Sequence, residues 1–309
     1  MKKFIHKILL YSCIVIGILF FYEFLLKIRP NEFSYKKEYI ETNRGKIKTL
    51  ILGHSQLEQG LIPSILGDSI FNFAIEGRSN YYDAELLKKY ISTLPNLKCV
   101  VWPLSYNFQY YKKDIGILDL FKGKEGMENT YRCMYYKYMD IPCGKYSVLF
   151  WPEILNSKYE FAKRFFTNNR KILTRCDSLG FHSNGKHNPA LMNQTLPKEV
   201  EYDTPQNQEA LKAGMNNIMT IVQLCKTYRI RLIVISPPTY KNYQSLITPK
   251  GLSGMKNVIK IMKDYYPDLE YKNYIFDNRF NIEDFYNSSH LSEKGAKKFS
   301  HIFKNDFTL

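Results

Sequence analysis

Two short stretches of this chain combine residue types that can attack a carbonyl. Gly53-His54-Ser55 follows the apolar run Leu50-Ile51-Leu52, and Asn287-Ser288-Ser289-His290-Leu291 lies near the C-terminus. A serine on a strand-to-helix turn and a histidine on a late loop are the two halves of a nucleophile–base pair. The imidazole takes the hydroxyl proton as the oxygen attacks. Such a base is oriented by a third group, ordinarily a carboxylate. Three residues before His290, in that slot, stands an amide, Asn287; Asp284 and Asp277 are the nearby carboxylates. Each residue also has a plainer use. Serine is a common helix cap, and a histidine in a late loop is as often a surface or capping group.

The elements that must position these residues are read from apolar runs. Residues 48–53, 70–74, 99–104, 230–235 and about 271–276 read as strands. Residues 50–52, 100–102 and 232–235 are unbroken, as in strands buried on both faces. Helical spacing falls near 82–94, 207–228, 252–266 and 292–303, as in Ile218, Ile221, Val222 and Cys225. Strands alternating with helices predict βαβ units and a parallel sheet. Ligands of such sheets sit outside the carboxyl ends of the strands. Ser55 lies at that edge. Gly77 follows the second strand and Asn107 the third, so a backbone N–H of Gly77 and the side-chain NH₂ of Asn107 could face the same oxyanion as the N–H of Ser55. An ordinary turn glycine and a turn asparagine are the alternatives. His290 follows the last strand, from where it can swing back to Ser55. His6, His54, His182, His187 and His301 lack such a placement; His54 adjoins Ser55, but neighbours in an extended turn usually diverge.

Lys2, Lys3 and Lys7 precede an apolar stretch that runs from Ile8 to Leu26, 19 residues broken only by Glu23. That is about the length that spans a bilayer core. No small-residue cleavage site follows it, and the apolar run continues past the weak lipoprotein-like box Leu10-Tyr11-Ser12-Cys13. The domain expectation is therefore a membrane signal anchor over 1–28, a tether over 29–46, and one α/β domain over 47–309. Residues 107–205 break the pattern and read as a mainly helical insertion that could cover the site. With positive charge at both ends of the span, the flanking charges give little help with orientation; a large domain outside the membrane is expected because no second span follows.

Net charge is +15, with lysine and arginine spread along the chain and no basic block. That favours anionic membrane surfaces or acidic glycans over nucleic acid; a bias of the source organism is the equal alternative. No glycine-rich phosphate loop follows a strand, so no nucleotide cofactor is expected. Of the six cysteines, Cys13, Cys99, Cys133, Cys143, Cys176 and Cys225, none forms a CxxC pair, which speaks against a metal site. Cys133 and Cys143 could bridge in an exported domain.

Taken together and in this order, the pieces resemble the SGNH/GDSL hydrolase superfamily. Gly53-His54-Ser55 with Gly60-Leu61-Ile62-Pro63 is similar to its first block, Phe71-Asn72-Phe73-Ala74 to Gly77 to its second, and Asn107 falls near its third. Asn287-Ser-Ser-His290-Leu is similar to its D-x-x-H block, with Asn287 in the place of aspartate. Asp177-Ser-Leu-Gly-Phe181 and Ser236-Pro-Pro-Thr-Tyr240 also fit the bacterial membrane-anchored members with one N-terminal helix. The resemblance implies a three-layer α/β/α sandwich with a mostly parallel five-stranded sheet. It implies an esterase or O-acyltransferase in which Ser55 attacks, His290 is the base, Asn287 or Asp284 orients it, and Ser55, Gly77 and Asn107 hold the oxyanion. The substrate class implied is a cell-envelope polysaccharide, with a membrane acyl-donor partner if the reaction is transfer. The alternative is a weakened or inactive module that binds glycan or assembles an envelope complex.

Overall fold

The structure is a computed structural model that describes residues 2–28, 30–105, 139, 174–192 and 205–309. The chain divides into two compact units, one of residues 1–35 and 116–175, the other of residues 36–115 and 176–309. In the first, α1 (Lys2–Ile28) is a single helix. Its segment Lys2–Phe21 has a mean hydropathy of 2.2 with none of its surface buried. By length and composition it can cross a membrane, and as an N-terminal segment it passes the same test as a signal sequence.

Residues 29–46 are not merely a tether. They hold the 11-residue helix α2 (Glu32–Thr42). Its second half belongs to the second unit, where Ile40 is fully buried and Tyr39 stacks on Phe71 with ring centroids 4.2 Å apart. The stretch reads as polar because, beside Phe33 and Ile40, its buried residues include Asn31, Glu32 and Lys36.

The second unit follows the βα alternation. Its elements are β1 (Thr49–Ile51), α3 (Ser55–Glu58), α4 (Pro63–Leu66), β2 (Ile70–Asn72), α5 (Asn80–Tyr90), β3 (Cys99–Pro103), α6 (Pro205–Thr227), β4 (Arg231–Ser236), α7 (Lys241–Gln244), α8 (Pro249–Tyr265), β5 (Glu270–Asn273), a hairpin of β6 (Phe285–Asn287) and β7 (His290–Leu291), and α9 (Glu293–Asp306). The sheet is parallel with five strands in the order β2-β1-β3-β4-β5. Leu50 pairs with Phe71 on one side and Val100 on the other. Period-2 alternation sends Ile51, Val101, Ile233 and Ile235 to one face, where they pack with Leu57, Leu66, Phe299 and Phe303. The alternate residues Leu50, Val100, Trp102, Leu232 and Val234 are equally buried, and α6, which carries buried Ile218, Ile221, Val222 and Cys225, lies against β4, α5 and α8. Strands of three residues could not persist on ladder hydrogen bonds alone. Each enclosed aliphatic side chain contributes about 1.5–3 kcal/mol, and both faces are enclosed. This is the three-layer α/β/α arrangement expected.

Of the predicted insertion over 107–205, only Met139, residues 174–192 and Pro205 are among the described residues. Residues 177–181 form a tight loop in which the Asp177 carboxylate accepts the N–H groups of Leu179 and Phe181, each at 2.9 Å. The loop lies against the edge strand β2, with the N–H of Asn72 donating to the carbonyl of Leu179 at 2.9 Å. A Cβ at Gly180 would stand 2.0 Å from the Asn72 carbonyl oxygen. Only glycine permits that approach.

Candidate active site

The turn after β1 is fixed from three sides. Gly53 has φ +111°, and a Cβ there would meet the Pro103 ring at 2.3 Å. Its N–H donates to Asp83 Oδ1 at 3.1 Å, and its carbonyl accepts the N–H of Ile75 at 3.0 Å. Asp83 is fully buried; it also accepts the indole N–H of Trp102 at 2.9 Å and an N–H of fully buried Arg78 at 3.4 Å. Burial pushes the Asp83 carboxyl up, and Arg78, Trp102 and Gly53 oppose that push. One carboxylate thus ties the turn before Ser55 to the end of β3 and to the segment that follows Gly77.

Ser55 opens α3, but it does not cap it. The N-cap is His54, whose Nδ1 accepts the N–H of Gln56. This releases the Ser55 hydroxyl. Its Oγ lies 2.7 Å from Nε2 of His290. Two more buried groups hold α3 in place. Asn72 on β2 donates from Nδ2 to the carbonyls of Leu57 and Leu61, at 2.9 and 3.0 Å. Lys36 pairs with Glu58 at 3.2 Å, both side chains fully buried, and donates to the carbonyl of Ala74. Removing one member of such a pair costs about 3–5 kcal/mol.

His290 sits on a hairpin with a two-residue turn rather than on the open loop expected. Asn287 and His290 face each other across the turn Ser288-Ser289. That geometry explains their spacing of three. Asn287 Oδ1 accepts the N–H groups of Ser289 and His290, at 3.0 and 2.9 Å, and the hydroxyl of Ser289 at 3.3 Å. Two backbone donors fix which end of the amide is oxygen. The same Oδ1 and the Ser289 Oγ each lie 3.0 Å from His290 Nδ1; an amide oxygen only accepts, so Nδ1 carries the hydrogen and shares it between the two. Nε2 is then bare and accepts the Ser55 hydroxyl. This is the tautomer a general base needs.

Asp284, the carboxylate offered as the alternative orienting acid, is turned elsewhere. It is fully buried, accepts the N–H of Asn281 at 3.0 Å and pairs with Lys298 at 2.7 Å. It closes the capping box of the short 282–284 helix. Asp277 is taken by Arg279. Neither is bonded to His290; the third position belongs to Asn287. We expect Asp284→Asn to lower stability by about 1–2 kcal/mol through the weakened cap and ion pair. Thermal melting should show that loss, and the acid limb of the pH–rate profile should not move.

His290 is held below the ordinary histidine value of 6.5, at about 4. Enclosure is the main cause, a nearby Glu76 carboxylate works the other way, and the positive charge of a protonated His182 adds to the lowering. Glu76 and His182 thus belong to the site's surroundings, and His182 is brought there by the segment after residue 176. A depressed value means the ring is bare above it. Activity should be complete at neutral pH and lost as pH falls through about 4, not through 6.5. The acid limb of kcat/KM for a neutral ester measures this directly.

The N–H groups of Ser55 and Gly77 donate to no group among the described residues, so both are available to a developing oxyanion. Gly77 takes φ +68°, a turn conformation that glycine favours. Asn107 lies outside the described residues, as do Cys133 and Cys143. Cys13, Cys99 and Cys225 are free thiols, and burial pushes those of Cys99 and Cys225 up. Among the described residues no group of three His, Cys, Asp or Glu could hold a metal.

No family model and no curated protein matches this chain. Among solved structures, one from Streptococcus pneumonia, provisionally described as a platelet activating factor, aligns over 94% of this chain and 98% of its own length. Its sequence identity is 12% and its TM-score 0.41. A likeness that distant carries no argument about chemistry.

Proposed function

We propose that the chain is a serine esterase or O-acyltransferase of the SGNH/GDSL type that acts on an acylated cell-envelope polysaccharide. The observation that carries the reading is the bonded series Ser55 Oγ, His290 Nε2, His290 Nδ1, Asn287 Oδ1, with contacts of 2.7 and 3.0 Å and one proton direction throughout. In the first half-reaction Oγ bonds to the ester carbonyl carbon while its proton passes to Nε2. The carbonyl oxygen gains the negative charge, and the N–H groups of Ser55 and Gly77 are the donors for it. Collapse expels the alcohol, which takes the proton from His290, and leaves an acyl-serine. Water or a sugar hydroxyl then repeats the steps in reverse. Asn287 aligns the ring but brings no charge to the imidazolium. The apolar N-terminal helix and a net charge of +15 support a membrane-attached site near acidic glycan.

A second reading, an inactive module that binds glycan or assembles an envelope complex, is favoured by one thing, the amide at Asn287. The full chain in detergent separates the two. It is given an activated acetyl ester and, separately, an O-acetylated polysaccharide with an oligosaccharide acceptor. Release of acetate or acetylated acceptor supports catalysis. Saturable binding of the polysaccharide with no turnover of either ester supports the module.

A further inference from the structure

A run of neutral side chains joins the nucleophile's helix to the base's hairpin, and each proton in it can be placed in turn. Gln56 follows Ser55 and is buried. Its Nε2 lies 2.9 Å from the carbonyl oxygen of Ser289. A carbonyl only accepts, so the NH₂ group faces Ser289 and Oε1 faces away. Oε1 is 2.5 Å from the hydroxyl of Ser105, which must therefore donate to it. That hydroxyl has a single proton, so toward His54 Nε2, 2.8 Å away, it must accept. His54 thus carries hydrogen on Nε2. Its Nδ1 is left to accept the N–H of Gln56, at 3.4 Å. Each bond of the series thus has one donor and one acceptor, and Gln56, Ser105 and His54 are all buried.

We propose that Gln56 is a positioning residue for His290, held in its rotamer by Ser105 and His54, and that this relay sets the distance between Ser55 and the base. The hairpin around His290 is small and is gripped from outside, by His187 Nδ1 on the carbonyl of Phe285 at 2.7 Å and the N–H of Asn188 on that of Tyr286 at 3.3 Å among others. The N–H of Tyr240 takes the carbonyl of Ser288 at 2.8 Å, and the amide of Asn184 takes that of Leu291 at 3.1 Å. Of these donors, Gln56 alone grips the hairpin from the helix of Ser55. With an amide at Asn287 there is no carboxylate to draw the ring into line, so its alignment depends on neutral hydrogen bonds of this kind. Burial holds His54 near 3, so the ring stays uncharged and the relay keeps its directions through the whole range in which His290 can act as a base.

The inference uses the proposed Ser55 chemistry only for its kinetic consequence. Gln56→Ala should lower kcat by about 10- to 100-fold, the scale of a small misplacement of a reacting group, with KM within about twofold. Gln56→Glu gives a sharper signature. As a carboxylate it has only acceptors and cannot bond the Ser289 carbonyl. As a neutral acid it donates to that carbonyl and still accepts from Ser105. Its kcat should therefore climb as pH falls from 8 toward 5, where the unchanged protein is flat. The deciding experiment does not need turnover. The full chain in detergent micelles is labelled with ¹⁵N-histidine, and the ring nitrogens of His54 and His290 are followed from pH 8 to 5. The expected result is His54 neutral with hydrogen on Nε2, and His290 ring resonances that shift or broaden in Gln56→Ala and in Ser105→Ala. Two variants that cut the relay at different points guard against one that fails to fold. Hydrogen on Nδ1 of His54, or His290 resonances unchanged in the variants, would overturn the relay. If the Ser55 chemistry itself is absent, the kinetics are silent for every form and the histidine spectra still decide.

Discussion

Ser55→Ala should abolish ester turnover, with kcat falling by about 10⁴- to 10⁶-fold, and should leave the fold intact. The size of the loss follows from removing a nucleophile whose partner then has no proton to take. What survives is the modest rate from binding and the oxyanion donors. The separation of activity from stability follows from this structure in particular. Had Ser55 been the cap of α3, its loss would also cost about 1 kcal/mol. The cap is His54, and the Ser55 hydroxyl bonds only His290 among the described residues. Melting temperature should stay within the scatter of a neutral surface change, about 0.5 kcal/mol. Turnover kinetics beside a thermal melt checks both halves. A fall in stability equal to that of a lost cap would show that Ser55 does structural work after all.

Asn287→Asp should raise activity. In serine proteases, replacing the third-position aspartate by asparagine lowers turnover by about 10⁴, chiefly because the histidine then takes the wrong tautomer. Here that penalty does not apply. Oδ1 already accepts four hydrogens, including that of His290 Nδ1, and a carboxylate oxygen would accept the same four. Only the charge is missing. A carboxylate in contact with an imidazolium is worth about 1–3 pKa units, which sets an upper range of about 10- to 1,000-fold for the rise in kcat. The sign for pH follows. The charge favours the protonated ring, so the His290 value rises from about 4 toward the ordinary range. The acid limb should move up by about 1–3 pH units. Rate and limb should shift together. A faster enzyme with an unmoved limb would mean that the aspartate helps by some route other than His290.

Much of the positioning frame was legible in the order of elements. Unbroken apolar runs before Gly53 and over 100–102 and 232–235 can only be satisfied by strands covered on both faces, and that is where β1, β3 and β4 lie. The pairing of Ser55 with His290 followed from strand ends meeting at one edge. The groups that hold the pair were not legible. Imidazole is an uncommon cap, so nothing marked His54 as the residue that would free Ser55. Asn72, Asp83 and Lys36 work through bonds that cross 11, 30 and 38 positions of chain, and single polar letters inside apolar runs carry no sign of such partners. The choice between Asn287 and Asp284 turned on a hairpin of two short strands, too brief to show periodicity. Once the turn is in place the decision is geometric: position 287 faces the imidazole, and Asp284 faces Lys298.

The central claim, that His290 activates Ser55 as a nucleophile, is tested most directly by a fluorophosphonate probe on the full chain, read by intact mass and peptide mapping. One adduct per chain is expected, located on Ser55, forming at neutral pH and slowing as pH falls through about 4. It should be absent in Ser55→Ala and strongly slowed in His290→Ala. No adduct on folded protein, under conditions that fully label a known serine hydrolase, or an adduct on another residue, would contradict the account.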